Sequence, residues 1–190
     1  MTASRRLLPA VLAALVLAVP AVAGCSADIS DTMVQTPDGM VADSHSDGFM
    51  TLARPTTWEP AADAVFKDRV ASYVIRDGNR VVGQMDVFVN ELGTDRGGAE
   101  LLAEQTMAEE MFAFRNRRTV NREPLTVPGA ESGYLVESSY ETTGGDPARY
   151  LQLWAVTKDR RYTIVKITGA QDAYDATLWR TVLDTVAVAG

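Results

Sequence analysis

The chain has almost no cysteine and almost no histidine, one of each in 190 residues. One cysteine cannot close an internal disulfide, so a disulfide-stapled scaffold is excluded. One histidine, His45, rules out a histidine-rich metal site, and it lies in a polar, turn-rich stretch where no Ser-His-Asp triad would be positioned. Positive charge is also scarce, with 18 Lys and Arg against 25 Asp and Glu and a net charge of -7. That balance lacks the basic footprint of a nucleic-acid binder and disfavours a body lying flat on an anionic lipid surface. Long apolar runs are absent beyond the first residues. The remainder, in a chain 46% hydrophobic and 23% charged, has the length and balance of one globular domain with a real core.

What is present begins at the N-terminus. Arg5 and Arg6 precede an apolar stretch over residues 7–23 that is broken by Pro9 and Pro20. A helix needs about 20 residues to span a bilayer, so the layout fits an export signal better than a permanent span. Ser4, Arg5 and Arg6 faintly resemble a twin-arginine signal, but Pro9 interrupts the apolar positions that should follow, and the export route stays open. Val22, Ala23, Gly24 and Cys25 resemble the bacterial lipobox, which implies cleavage before Cys25 and lipidation of its thiol. The resemblance explains a lone thiol in an exported protein, where a free cysteine is otherwise out of place. A multiply acylated Cys25 holds a protein on a membrane stably. The expected organisation is a signal peptide over residues 1–24, a lipidated Cys25 with a flexible tether over 25–47, and one globular domain over 48–190. A tether of that length spans on the order of 25 Å as a coil.

The domain reads as strands, helix, strands, helix. "FMTLARP" is a strand ending at Pro55, followed by a turn with Trp58. Asp77, Gly78 and Asn79 separate two β-rich runs and signal a hairpin. Residues 95–118 change to a helical period, with Leu101, Met107, Ala108, Met111, Phe112 and Phe114 on the expected apolar half and Gln105, Thr106, Glu109 and Glu110 opposite. Arg115, Arg117 and Arg118 follow as complements to the negative helix pole. Strand patterns return in "TVNREPLTV", "ESGYLVESSYET", "ARYLQLWAVTKD" and "RYTIVKITG", the last two apolar on both faces, as strands covered on both sides are. A final helix is expected from Asp172, as N-cap, to about Thr185, with Tyr174, Leu178, Val182 and Val186 as its stripe. The order predicts an α+β fold with an antiparallel sheet flanked by helices.

This order, with Pro55 and Trp58, Gly129, Gly133 and Tyr134, and the aromatics Tyr150 and Tyr162, resembles the PsbP-like fold over residues 48–190. That fold is shared by bacterial lipoproteins of the DcrB group and the actinobacterial LpqN and LpqT group. The resemblance implies an antiparallel sheet flanked by helices, no catalysis, and envelope accessory or binding roles. It carries over no functional residue.

No motif supports an enzyme or a cofactor. "GAESG", residues 129–133, has the wrong order for a nucleophile elbow and lies between strands, where it reads as a turn. The paired acids Glu109 with Glu110 and Asp172 with Asp175 fit helix surfaces and termini. Gly97 and Gly98 precede a helix without the partners of a phosphate loop. Two binding hypotheses remain. One is a protein-interaction module for the envelope, with Arg115, Arg117 and Arg118 as its polar contact. The other is a carrier or sensor of an apolar envelope molecule such as a lipid, using Met107, Met111, Phe112 and Phe114. The sequence favours the first, because it requires no cavity.

Overall fold

The computed structural model describes residues 36–61, 69–92 and 97–190. In chain order these form β1 (Met40–His45), β2 (Met50–Pro55), β3 (Glu59–Pro60), β4 (Arg69–Asp77), β5 (Arg80–Glu91), α1 (Ala99–Ala113), β6 (Arg115–Pro124), β7 (Ser132–Glu141), β8 (Pro147–Val156), β9 (Arg161–Ala170), α2 (Ala176–Asp184) and β10 (Ala187–Val188). The main sheet is antiparallel, in the order β3-β4-β5-β9-β8-β7-β6, and a small sheet has the order β1-β2-β10. The expected α+β architecture is therefore present. Gly78 supplies the left-handed backbone of the β4–β5 hairpin at φ 58°, as its Asp-Gly signal predicts.

Side chains alternating along the strands divide the core in two. On one face Met85, Val87, Leu151, Leu153, Val165 and Ile167 pack against Trp179, Val182 and Leu183 of α2 and against Phe49 and Leu52. Trp179 lies over Gly169, where a Cβ would come within 2.9 Å of its ring. On the other face α1 sets Ala99, Leu102, Ala103 and Met107 on Tyr134, Val136, Tyr150, Trp154 and Val156. The glycine of "GAESG" serves a turn, since Gly129 has φ 80° and a Cβ there would meet the Val188 carbonyl oxygen at 1.7 Å.

Several expectations are corrected. The stretch read as tether contributes β1, which pairs antiparallel with β2 from Met40 opposite Pro55 to His45 opposite Met50. Backbone pairing and the acceptance by Asp43 of a 2.5 Å hydrogen bond from Arg54 Nε hold it, although its sequence is polar. The domain thus begins ahead of residue 48, and His45 is half-buried with its ring edge against Tyr73. The first helix is shorter than 95–118. It ends at Ala113, where Phe114 turns into extended backbone at φ -113° and ψ 134° and no basic residue lies in the last turn. Arg115, Arg117 and Arg118 belong to β6, so they do not complement the helix pole. The cap of the last helix is Asp175, which accepts from the Leu178 N–H at 2.9 Å, while Asp172 lies in a preceding 3₁₀ turn and faces Arg80. β8 is buried on both faces as expected, but β9 is covered on one face and only partly on the other.

Candidate ligand-binding cleft

Among the described residues a single helix covers this face of a seven-stranded sheet, and it packs on β6, β7 and β8. The same face of β5 and β9 is left open beside it. The result is a cleft of 1540 Å³. Gln84, Asp86, Phe88 and Asn90 of β5 and Tyr162, Ile164, Lys166 and Thr168 of β9 form the floor, and Leu102, Gln105, Thr106 and Glu109 of α1 form one wall.

Strand register arranges the floor in rungs. Asn90 pairs with Tyr162, Phe88 with Ile164, Asp86 with Lys166 and Gln84 with Thr168. Trp154 lies across from Ile164 on the next strand and stacks on Tyr162 at 6.2 Å and 23°. One end of the cleft is therefore aromatic and aliphatic, and the middle and far end are polar. The indole Nε1 of Trp154 is buried without an acceptor among the described residues, which leaves on the order of 1–3 kcal/mol of desolvation uncompensated.

The polar half is fixed by its own partners. Asp86 Oδ1 accepts from Arg69 Nη1 at 2.6 Å, Ser72 Oγ at 2.8 Å and Gln84 Nε2 at 2.7 Å. Lys166 Nζ donates to Glu110 Oε1 at 2.6 Å and lies 4.5 Å from the Tyr150 ring centroid and 5.2 Å from that of Phe114. Glu110 Oε2 in turn accepts from the Tyr150 hydroxyl at 2.6 Å, and Arg117 donates to the same phenol oxygen from Nε at 2.9 Å and Nη2 at 2.5 Å. This network ties the end of α1 to β6, β8 and β9. Phe114 leaves the helix in extended backbone, and Arg117 reaches the Tyr150 hydroxyl from β6.

Burial, reinforced by the hydrogen bond to Glu110, raises the Tyr150 phenol to about 12. An unfolded tyrosine loses its proton near 10.0, so between these values unfolding releases a proton and stability falls as pH rises. Tyr150→Phe is expected to make that alkaline decline shallower when thermal melts are followed from about pH 9 to about pH 12. A decline of unchanged slope would remove Tyr150 as its source.

Of the residues expected to act, Val22, Ala23, Gly24 and Cys25 lie outside the described residues. The arginines do not form one cluster, because Arg117 is held in the network whereas Arg115 and Arg118 are exposed. The apolar helix face is rotated from its expected position. Met107 is core, Phe114 lines the cleft, and Met111 and Phe112 are 66% and 94% exposed. The cleft floor was missed as a site. Its signal was the presence of Asp86 and Lys166 inside otherwise apolar strands, where a buried charge requires a polar setting. Among the described residues no three metal-ligating side chains converge, and no helix is long and apolar enough to cross a membrane. Asp86 and Lys166 are each engaged by other groups of the protein.

The antiparallel sheet with its two flanking helices defines the fold as PsbP-like. The cyanobacterial PsbP protein of Synechocystis shares it at a TM-score of 0.60 and 15% identity, with 81% of this chain and 95% of that one covered. LpqN of Mycobacterium tuberculosis, involved in cell envelope biogenesis, aligns at 0.55 and 15% identity over 78% of this chain and 90% of its own. The Ran-binding protein Mog1p of Saccharomyces cerevisiae aligns at 0.57 and 11% identity over 79% and 95%. No family model matches the sequence, and no curated protein matches it.

Proposed function

We propose that this chain is an extracytoplasmic lipoprotein, anchored through Cys25, that binds an amphipathic envelope molecule in the cleft beside α1. The open cleft carries this reading. Its apolar rungs at Phe88, Ile164, Tyr162 and Trp154 suit a hydrocarbon or ring portion, and the polar rungs suit a hydrogen-bonding head. The envelope setting is supported by the lipobox resemblance and by the structural likeness to LpqN. A cavity was the feature that the interaction-module hypothesis did without, and its presence moves the preference to the carrier.

The test uses the full chain purified from its host membranes. Organic extraction and mass spectrometry are expected to recover one amphipathic species at near stoichiometric amount, and Ile164→Trp, which fills the apolar end, is expected to lose it. Recovery of nothing above background from the unaltered chain would overturn the carrier reading. Cys25→Ser is expected to take the protein out of the membrane fraction or leave it unprocessed. Unchanged membrane retention with normal processing would overturn the anchor.

A further inference from the structure

We propose that the C-terminal end of α1, through Phe112 and Met111, is a second membrane contact that sets the mouth of the cleft against the bilayer. The inference rests on the anchored-carrier reading and adds the surface by which cargo would enter. The buried stripe of α1 is Ala99, Leu102, Ala103 and Met107. Phe112 and Met111 fall outside it and project at the helix end, 94% and 66% exposed. Single exposed apolar residues are ordinary, but here two large ones follow one another at a helix end and form a small apolar tip. Arg115 and Arg118 follow directly, both exposed and without an ion pair among the described residues.

The occupant is a lipid surface and not a protein, on grounds of area and charge. A stable protein interface covers on the order of 800 Å² per partner around an apolar centre. Here two side chains protrude, and the helix surface leading to them carries Glu100, Glu104, Gln105 and Glu109. A bilayer needs only the apolar tips in its boundary region and the arginines at phosphate level. A chain already held at the membrane has a high effective concentration there, so a weak second contact suffices. The acidic body then stays clear of the surface while this tip meets it. Glu109, one turn before Phe112, and Phe114, two residues after it, both line the cleft, and Phe114 lies against Lys166, so the tip stands beside the polar part of the cleft.

Fluorescence quenching tests the contact in full-length protein reconstituted into vesicles of phosphatidylglycerol and phosphatidylethanolamine with brominated acyl chains. Trp58 and Trp179 are buried away from the cleft, and Trp154, which lines it, is changed by Trp154→Phe in every protein compared, so the background gives a low baseline. Phe112→Trp is expected to be quenched several-fold more than that baseline, Leu101→Trp to remain at it, and Arg115→Gln with Arg118→Gln to reduce the quenching of Phe112→Trp. Equal quenching at positions 101 and 112 would overturn the proposal. So would a photo-crosslinker at position 112 that yields one defined protein adduct in intact cells and no lipid adduct. Cargo is measured on the same preparations by extraction. An empty cleft with a quenched Phe112→Trp would uphold the tip and sink the carrier, and a filled cleft with an unquenched one would sink the tip alone.

Discussion

Trp154→Ala is expected to lower stability by about 3–5 kcal/mol, the range for truncating a buried aromatic. Trp154 is 4% exposed, two residues before the end of β8, with Tyr134 opposite on β7 and Ile164 opposite on β9. Typical domains hold only about 5–15 kcal/mol in all, so the variant should lose a large part of its margin. The urea midpoint should fall with little change in slope, because the surface exposed on unfolding hardly changes. Trp154→Phe should recover most of the loss. It keeps a ring against Tyr162 and removes the indole N–H that finds no acceptor. A melting temperature for Trp154→Ala within a degree or two of the unaltered chain would mean that the strand is not central.

Glu110→Ala is expected to be comparably damaging by a different route. The carboxylate accepts from Lys166 and from Tyr150 and lies 3.6 Å from Arg117 Nε. The side chains of Glu110, Arg117 and Lys166 are only 12%, 6% and 18% exposed. Removing the one acid leaves two largely buried cations without their counter-charge, for which about 3–5 kcal/mol is typical. Adding Lys166→Met should restore part of the stability, since an apolar residue tolerates the vacated site better than an unpaired ammonium does. A loss below about 1 kcal/mol would show that water enters the network freely.

The long strands of the main sheet and their order along the chain were legible because their signals are local. Asp77 with Gly78 makes a turn wherever it occurs between two apolar runs, and a period of two survives any packing partner. The face of α1 was not legible. Apolar residues occur all around it, so the period does not choose a side, and the choice falls to the sheet. Small Ala99 and Ala103 let the backbone approach Tyr134, Tyr150 and Trp154, and that fit leaves Met111 and Phe112 outside. Arg117 was misread for a related reason. Its charge suggested a solvated helix end, but its buried position depends on Glu110 and on Tyr150, which lies 33 residues further along the chain. β1 was hidden by its polarity, since it is held by backbone pairing with only three partly buried side chains. The cleft could not be read from any one segment. It exists because one helix is too narrow to cover seven strands.

The way β1 joins the domain has a mechanical consequence. With the chain held at Cys25 as proposed, a pull from the membrane enters at Met40, the open end of the β1–β2 hairpin opposite Pro55. Load applied there breaks the backbone bonds one after another, as a zipper opens, whereas load along the strands would be shared among them all. β1 has no fully buried side chain, so it should yield first, while β2 stays clamped by β10 and by the Thr185 hydroxyl bonded to the Ala53 N–H. Each residue released adds up to about 3.3–3.6 Å of reach. Under the proposed anchor the strand would be a length of leash kept in reserve, let out under tension and wound back when the tension ends.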